Sequence, residues 1–319
     1  MFMKSITEIQ NFEGKKALVR VDWNVPMTEN GEVSDASRIE NSLQTIEYIK
    51  NNGGTPVVMS HFGREGQSIQ PVIDFAKKNY SVFEDGVEFL ENLRMDKREE
   101  ENDEEFAREL AAKADIYVND SFATSHREHA SIVGVPKFLP SCAGINFMKE
   151  VKALSKAFDP EHPFLFILGG AKLETKLPLL QKFLNIADKV FVGGLLAAEA
   201  SLNPDISQNP KVIFPVGDIK ALDINQETIE VLKFKVKSSK FVLWNGPVGK
   251  YEDGYDWGTK ELAKIINSSG VEAVIGGGDT ESVIDEIVQN NPKIFLSTAG
   301  GAMLDFLVDG KLVGIEALG

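Results

Sequence analysis

The arginines are the first residues of this sequence whose placement could do chemistry. All seven lie within the first 127 residues, and the 192 residues that follow contain none. A guanidinium group is a planar, permanently charged fork that suits phosphate and carboxylate. A drift in arginine and lysine usage without functional meaning would give the same skew, and the skew alone favours neither explanation. Because Arg64, Arg94 and Arg127 each follow closely after a predicted strand, where parallel sheets bind ligands, we expect a small anionic ligand in this half.

Glycine clusters follow the predicted strands of the second half. Glycine at a strand end lets backbone N–H groups approach phosphate oxygens at a helix N-terminus. It also ends strands for packing reasons, so a single cluster is weak evidence. Five clusters within one half favour a nucleotide site, although none matches the P-loop or the dinucleotide fingerprint. The clusters are Gly169-Gly170-Ala171-Lys172, Gly193-Gly194, Gly246-Pro247-Val248-Gly249, Gly276-Gly277-Gly278-Asp279-Thr280 and Gly300-Gly301.

Short β-branched or aromatic runs alternate with amphipathic stretches along the whole chain. This alternation predicts an α/β fold with parallel sheets. A helix is predicted over Ser37 to Asn51, where apolar residues recur at helical spacing. The predicted strands are Lys16 to Trp23, Thr55 to Ser60, Val87 to Asn92, Ile116 to Asp120, Phe164 to Leu168, Lys189 to Val192, Val212 to Val216, Phe241 to Trp244, Ala273 to Ile275 and Ile294 to Leu296.

Two prolines mark a domain boundary near residue 160. A long helix pattern, Ile145 to Phe158, ends at Asp159-Pro160-Glu161-His162-Pro163, before a new strand begins. Prolines this close together interrupt helices and strands, so we predict two domains with the preceding helix between them. The length of 319 residues also suits two domains.

Composition excludes several classes of protein. The chain has 48 acidic and 34 Lys or Arg residues, a formal net charge of −14, which argues against a duplex nucleic-acid binder. Its apolar runs are too short to span a membrane. The start lacks the features of a secretory signal, which predicts a cytoplasmic protein. Cys142 is the only cysteine, so an intramolecular disulfide is excluded and we expect a buried structural thiol.

The acidic charge is concentrated in the half that holds the arginines. Residues 1–150 carry 17 basic and 26 acidic groups, and residues 151–319 carry 17 and 22. We therefore expect acidic outer faces around a local basic pocket. The run Glu99 to Glu105 is predicted to be a solvated loop leading into a helix at Phe106, where its carboxylates favour the helix dipole.

Several long strings, in the same order along nearly the whole chain, resemble the phosphoglycerate kinase family. The strings are Ala17-Leu-Val-Arg-Val-Asp-Trp-Asn-Val-Pro26, Ser37-Arg-Ile39, Met59-Ser-His-Phe-Gly-Arg64, Leu90-Glu-Asn-Leu-Arg94, Val118-Asn-Asp-Ser-Phe-Ala-Thr-Ser-His-Arg127, Ile167-Leu-Gly-Gly-Ala-Lys172, Val242-Leu-Trp-Asn-Gly-Pro-Val-Gly249, Ile275-Gly-Gly-Gly-Asp-Thr280 and Ser297-Thr-Ala-Gly-Gly-Ala302. The combination is far more specific than any one motif.

The resemblance implies two Rossmann-like, doubly wound parallel-sheet domains that face a central cleft. They would be a phosphoglycerate-binding domain over 1–159 and a nucleotide-binding domain over 160–305, with 306–319 returning to the first. It implies a monomer that transfers a phosphoryl group reversibly between 1,3-bisphosphoglycerate and MgADP, giving 3-phosphoglycerate and MgATP. It also implies hinge bending near Gly144 to Asp159.

The resemblance assigns site residues to both domains. Arg38 is expected at the transferring group, with Lys172 and the backbone of Gly300 and Gly301. Asp279 is the expected Mg²⁺ ligand. The implied phosphoglycerate ligands are Asp22, Asn24, Arg38, His61, Arg64, Arg94 and Arg127. The implied nucleotide site comprises Gly170, Lys172, Lys176, Gly193, Asn245, Glu252, Gly276, Gly277, Gly278, Asp279 and Thr280.

The sequence also departs from the family pattern. It is shorter, with the losses between Arg64 and Val87 and from Leu195 to Gln226. Leu195 and Ala299 stand where the family has glycine, which predicts altered nucleotide binding. Two alternatives stay open: a non-catalytic phosphometabolite or nucleotide sensor, and a kinase for another small carboxylic acid. Arg20, Asp120 and His129 lie in matching strings and are expected to be structural.

Overall fold

The computed structural model describes residues 3–63 and 66–319, and for Asp279 the backbone alone. The chain divides into two compact units. The first consists of Met1–Val151 together with Lys311–Gly319, and the second of Lys152–Gly310. Each unit contains its own parallel sheet, so the predicted α/β class with two parallel-sheet domains is confirmed.

Strands and helices alternate along the chain. The strands are β1 (Lys16–Arg20), β2 (Thr55–Met59), β3 (Glu88–Phe89), β4 (Ile116–Asn119), β5 (Ser141–Ala143), β6 (Phe164–Leu168), β7 (Lys189–Val192), β8 (Val212–Ile213), β9 (Phe241–Asn245), β10 (Glu272–Gly276) and β11 (Ile294–Ser297). The α-helices are α1 (Ser37–Asn51), α2 (Gln70–Asn79), α3 (Glu104–Ala111), α4 (Ile145–Ser155), α5 (Leu173–Ile186), α6 (Leu196–Ser201), α7 (Pro204–Ser207), α8 (Gln226–Lys237), α9 (Trp257–Ser269), α10 (Gly278–Val288), α11 (Gly301–Asp309) and α12 (Val313–Glu316).

The sheet of the first unit has the order β3-β2-β1-β4-β5. In β1, Leu18 lies opposite Val57 of β2 and Tyr117 of β4. From β1 the chain adds β2 and β3 on one side of the sheet, and it then adds β4 and β5 on the other side of β1. The direction therefore changes between β1 and β4. In such a sheet a crevice opens at the carboxyl ends of the two strands where the direction changes, and ligands bind there.

Trp23 fills the core beside β1. Its indole N–H donates to Ser42 Oγ of α1 at 3.1 Å, and its ring packs edge-on against Phe83. The side chain is fully buried. Burial of an indole requires a partner for its N–H, and the hydroxyl of Ser42 supplies that partner.

The sheet of the second unit has the order β11-β10-β9-β6-β7-β8. Ile167 of β6 lies opposite Trp244 of β9, and the connections again reverse between these two strands. All five residues of each strand are buried, which explains why both read as continuous apolar runs. The crevice expected at their carboxyl ends lies beside Gly169 and Gly246.

The end of the chain belongs to the first unit. The Gly314 N–H of α12 donates to Ser125 O at 2.8 Å, and a Cβ at Gly314 would stand only 2.6 Å from Ser125 Cβ. Leu312, Ile315 and Leu318 are buried around this contact. The glycine is therefore needed for close packing.

Some elements differ from the predicted ones. The strand β5 was not predicted, and α4 ends at Ser155 because the next residues form tighter turns, with Ala157 N donating to Leu154 O. The helix α3 begins at Glu104, capped by Asp103, whose carboxylate accepts from Phe106 N at 2.8 Å. The prediction of a solvated acidic loop is wrong for Glu99, which is fully buried.

Among the residues that the structure describes, no helix is long and apolar enough to cross a membrane.

Cys142 lies in β5 and is fully buried. Burial raises the pKa of its thiol to about 12, so the thiol stays protonated near neutral pH. The prediction that Cys142 is buried is confirmed.

Candidate active site

The first group of predicted site residues follows the strands β1 and β2. We call it the arginine site and define it as Asp22, Asn24, Arg38, His61, Arg94 and Arg127. Asp22 and Asn24 follow β1, His61 follows β2, and Arg38 is the second residue of α1. Each is placed by the end of a strand or the start of a helix. Arg64, the seventh predicted ligand, lies outside the described residues.

Asp22 is the acidic centre of the arginine site. Its Oδ2 accepts from Arg38 Nη1 at 2.5 Å, and its Oδ1 lies 3.9 Å from His61 Nδ1. The carboxylate also accepts from the Asn24 backbone N–H at 3.3 Å. Asp22 therefore orients the cation of Arg38 from the side of β1.

Gly63 links two further members of the arginine site. Its N–H donates to Asn24 Oδ1 at 2.8 Å, and its carbonyl accepts from Arg94 Nη1 at 2.6 Å. Arg94 Nε lies 3.1 Å from Glu100 Oε1. The loop after β2 thus positions both the Asn24 amide and the Arg94 guanidinium.

His61 shows that the arginines cluster. Its pKa lies far below the ordinary value of 6.5, because the ring is buried and positive charge surrounds it. The charges, in order of effect, belong to Arg20, Arg94, Arg127 and Arg38. The imidazole is therefore neutral. Four guanidinium groups near one carboxylate and a neutral ring make a site suited to a polyanion.

The second group of predicted residues follows β6, β9, β10 and β11. We call it the glycine site and define it as Gly169, Gly170, Lys172, Lys176, Asn245, Gly246, Gly276–Thr280, Gly300 and Gly301. Lys176 Nζ donates to Gly169 O at 2.7 Å and to Asn245 Oδ1 at 3.0 Å. Lys172 is exposed immediately before α5. The two lysines lie about one helical turn apart.

Gly246 is required by the approach of two backbones. It has φ +90°, and a Cβ there would collide with Gly169 O and stand 2.5 Å from Lys176 Nζ. The loops after β6 and β9 are further joined by the Gly169 N–H, which donates to Asn245 O at 2.8 Å. The absence of a side chain at Gly246 thus keeps these loops together.

The ends of β10 and β11 lead into helix N-termini. Gly278 and Gly301 begin α10 and α11, and the space where a Cβ would stand at Gly278 and Gly300 is open. Thr280 Oγ1 is buried and has no hydrogen-bond partner among the described residues. Open backbone at a helix start, beside an unused hydroxyl, suits the approach of phosphate oxygens.

Other predicted residues have different surroundings. A Cβ at Gly193 would stand 2.5 Å from Phe191 Cε1, so packing alone explains this glycine. Glu252 is exposed in the turn Tyr251–Asp253. Leu195 is half-buried immediately before α6, and the Ala299 N–H already donates to Ser297 Oγ at 3.3 Å.

Among the residues described, no group of three or more His, Cys, Asp or Glu side chains is arranged to hold a metal ion. A Mg²⁺ ion needs no such cluster, because one or two carboxylates, water and substrate phosphates complete its coordination.

Comparison with known proteins decides the family. A sequence model of phosphoglycerate kinase matches residues 6–82, 72–207 and 199–311. The chain belongs to the phosphoglycerate kinase family. It is 34% identical to the phosphoglycerate kinase of Finegoldia magna, with 97% of each chain covered, and 32% identical to that of Borrelia garinii subsp. bavariensis, with both chains fully covered.

Solved structures agree with the family. The phosphoglycerate kinases of Coxiella burnetii and Pyrococcus horikoshii superimpose with TM-scores of 0.85 and 0.86, at 28% and 26% identity. These matches cover 99% of this chain and 99% and 98% of those chains.

This phosphoglycerate kinase family member is a shortened one. Its alignment with the Finegoldia magna protein spans 384 positions, although the chain has 319 residues. At least 65 positions of the relative therefore have no counterpart here.

Sequence reasoning missed the surroundings of Arg20 and Asp120. Arg20 is buried and hydrogen-bonded to Ser131, which lies 111 positions away. Asp120 follows β4 and is buried, and its Oδ1 accepts from Phe147 N in the first turn of α4 at 3.0 Å. A charged residue inside an apolar strand was the available signal for Arg20, but its partners depend on the fold.

Proposed function

We propose that the chain catalyses reversible phosphoryl transfer between 1,3-bisphosphoglycerate and MgADP. The observation that carries the proposal is the arginine site at the carboxyl ends of β1 and β2, where Asp22 accepts from Arg38 at 2.5 Å and Gly63 joins Asn24 to Arg94. The site suits an acid with two anionic ends. Family membership supports the same reaction, since its relatives carry the name phosphoglycerate kinase.

In the direction of ATP use, the bond from the γ-phosphorus to the bridging oxygen breaks. A new bond forms to a carboxylate oxygen of 3-phosphoglycerate, and ADP leaves with the bridging oxygen. The acceptor carboxylate is already ionised near neutral pH, so no general base is needed. The remaining task is to position the reactants and to stabilise charge on the transferring oxygens.

Residues of the arginine site hold the acceptor. Arg94 and Arg127 supply positive charge to its phosphate and carboxylate, together with Arg64, and Asn24 adds an amide. Arg38 is directed by Asp22 at 2.5 Å and is our candidate for the cation at the transferring group. A fixed guanidinium costs little reorganisation when charge develops.

Residues of the glycine site hold the nucleotide. Lys172 and Lys176 attract its phosphates, the backbones of Gly276–Gly278, Gly300 and Gly301 donate to them, and Asn245 and Glu252 contact the rest of the nucleotide. The Asp279 carboxylate is the candidate Mg²⁺ ligand, and the unpartnered hydroxyl of Thr280 fits an oxygen-lined phosphate site. When bound, Mg²⁺ neutralises phosphate charge.

The two sites lie on different compact units, so transfer requires their ligands to be brought within bonding distance. We propose that hinge bending around α4, between Gly144 and Asp159, does this, because α4 leads from Val151 of one unit into Lys152 of the other. Small-angle scattering with and without both ligands should show compaction, and its forward intensity should give a monomer mass. Identical profiles would contradict hinge bending.

The deciding experiment mixes the enzyme, MgATP and 3-phosphoglycerate and traps the acyl phosphate with hydroxylamine. We expect turnover by the wild type and a loss of at least a hundredfold in Arg38→Ala. Calorimetric binding of 3-phosphoglycerate without turnover would instead indicate a sensor. Turnover with other carboxylic acids alone would indicate a different kinase. Either result would overturn the proposal.

A further inference from the structure

A chain of polar side chains lies buried behind the arginine site. Its members are Glu99, Ser131, Arg20 and His61, with exposed fractions of 0%, 0%, 1% and 6%. We call them the buried relay. Only His61 belongs to the arginine site. The other three come from β1, from the turn before α3 and from the short helical segment Ala130–Gly134.

Ser131 connects the two charges of the buried relay. Its backbone N–H donates to Glu99 Oε2 at 2.9 Å, and its Oγ lies 2.5 Å from Glu99 Oε1 and 3.0 Å from Arg20 Nε. A guanidinium can only donate. The serine hydroxyl therefore accepts from Arg20 and donates its own hydrogen to Glu99. The donor and the acceptor of each hydrogen bond in this chain are thus fixed.

Glu99 supplies the negative charge that a buried guanidinium requires. Burial lowers the pKa of Arg20, and Glu99 is the largest influence that opposes this change. Burial likewise raises the pKa of Glu99, opposed first by the charge of Arg20. Removing either partner would leave an uncompensated charge in the core. The pair thus holds the guanidinium in place behind His61.

The far end of Arg20 reaches His61. Its Nη1 donates to the Val21 carbonyl, and its Nη2 lies 3.2 Å from His61 Nδ1. Since Arg20 has no acceptor, Nδ1 must be the unprotonated ring nitrogen. The imidazole is neutral, so its single proton lies on Nε2.

The tautomer of a neutral histidine decides whether it can bind an anion. With the proton on Nε2, that nitrogen donates to a phosphate or carboxylate oxygen. With the proton on Nδ1, Nε2 would present a lone pair to the same oxygen. Fixing the proton on Nε2 therefore turns His61 into an anion ligand at any pH at which the ring is neutral.

We propose that Glu99, Ser131 and Arg20 are positioning residues that hold His61 in the Nε2-protonated tautomer for binding the phosphorylated acid. The identity of that acid rests on the proposed function, but the tautomer does not. The buried relay acts through His61 and does not touch the reacting atoms.

The first test is nitrogen-15 NMR of the imidazoles without ligand. The chain has four histidines, at positions 61, 126, 129 and 162, and a His61→Gln sample identifies the His61 signals by difference. We expect the wild-type His61 ring to show a single Nε2-protonated form between about pH 6 and about pH 8. In Ser131→Ala we expect a mixture of the two tautomers.

The second test is kinetic. In Ser131→Ala the KM for 3-phosphoglycerate should rise about tenfold, the equivalent of one hydrogen bond to a charged group, while the KM for ATP and kcat change less than about twofold. Glu101→Gln is the matched control, because Glu101 is exposed in the same acidic run. It should leave the tautomer and both KM values unchanged.

A third variant guards against a folding defect. Arg20→Lys keeps the buried charge near Glu99 but cannot reach both Ser131 and His61 in the geometry of a planar fork. It should lose the single tautomer and raise the same KM while its thermal unfolding stays cooperative.

The outcomes separate the two proposals. A wild-type His61 protonated on Nδ1 would overturn the relay, as would folded Ser131→Ala and Arg20→Lys variants with an unchanged tautomer. A wild type that shows the Nε2 form and loses it in Ser131→Ala, yet neither binds nor converts 3-phosphoglycerate, would contradict the proposed function and leave the relay supported.

Discussion

Arg38 Nη1 donates to Asp22 Oδ2 at 2.5 Å, so a carboxylate of the protein itself holds the cation that we place at the transferring group. The Arg38 side chain is one-third exposed, and Asp22 is mostly buried. One nitrogen of the guanidinium is thus held by Asp22, and no residue that the structure describes accepts a hydrogen bond from the others. A fork can serve both purposes, whereas a single ammonium cannot.

Arg38→Lys tests this division of labour. We expect kcat to fall by about a hundredfold or more, because the ammonium pairs either with Asp22 or with the transferring group. The KM for 3-phosphoglycerate should rise less than about tenfold. Arg108→Lys is the control, because Arg108 is exposed and paired with Glu104. Its kcat and its KM for 3-phosphoglycerate should equal those of the wild type. Equal kinetics for the two variants would contradict the role of Arg38.

Gly246→Ala tests the close approach of the loops after β6 and β9. The added Cβ would collide with Gly169 O, so we expect a loss of about 3 kcal/mol in the free energy of unfolding and a higher KM for ATP. Gly254→Ala is the matched control, with φ +85° and no atom within 4 Å of the new Cβ. It should cost about 1 kcal/mol and leave nucleotide binding intact. Similar urea midpoints for Gly246→Ala and Gly254→Ala would show that the added Cβ at position 246 does not collide with Gly169 O.

Leu195→Ala tests whether the side chain in place of a family glycine limits the nucleotide site. Leu195 is half-buried immediately before α6. We expect the KM for ATP to fall several-fold, because a shorter side chain at this position would leave more room for the nucleotide. Leu202→Ala is the control, since Leu202 is 83% exposed. Calorimetry with MgADP gives the comparison, and an unchanged or weaker affinity in Leu195→Ala would show that Leu195 does not obstruct the nucleotide.

Asp279→Ala tests the candidate Mg²⁺ ligand. We expect turnover to fall by at least about a hundredfold and the Mg²⁺ concentration for half-maximal rate to rise. The exposed Asp305→Ala, in the same unit, is the control. Turnover like that of the wild type would remove Asp279 from the site.

Asp120 predicts a pH dependence of stability. Burial raises the pKa of its carboxyl to about 7, against an ordinary value of 3.8, and Asp120 Oδ2 lacks a partner among the described residues. Between these values the folded state binds a proton that the unfolded chain has lost, so stability is gained as pH falls and lost as it rises. The slope reaches about 1.4 kcal/mol per pH unit.

Asp120→Asn isolates that effect. Urea unfolding from about pH 5 to about pH 8 should show the wild type losing stability relative to Asp120→Asn until about pH 7, and a constant difference above it. Other titrating groups are common to both proteins and cancel. A difference that does not change with pH would show that Asp120 ionises normally.

The fold could be predicted where local patterns suffice. The helix Ser37–Asn51 and the strands Phe164–Leu168 and Lys189–Val192 have the predicted bounds. The short strand Ser141–Ala143 carries no periodicity and forms by pairing with β4 and, at Ala143, with Ser5. The strands predicted to end at Trp23 and Asn92 end at Arg20 and Phe89. Near Trp23 the prediction was too long because buried apolar residues continue into the loop after β1.

The site could be predicted less completely. The arginines that we propose for anion binding followed from residue type and from resemblance, and the charges of Arg94, Arg127 and Arg38 all lower the pKa of His61. The burial of Glu99 was missed because an acidic run reads as solvated. Its environment is created by Arg20 and Ser131, which are distant in sequence and adjacent only in the folded chain.

The docking of Lys311–Gly319 onto the first unit has a consequence during translation. A ribosome makes the whole of Lys152–Gly310 before Gly314 can donate to Ser125. The first unit, although synthesised earliest, therefore keeps an uncovered apolar face until synthesis reaches α12, whereas the second can fold as soon as its own residues emerge. A premature stop near residue 310 would remove the segment that covers the first unit. We expect chains truncated in this way to expose that apolar face and to need chaperones.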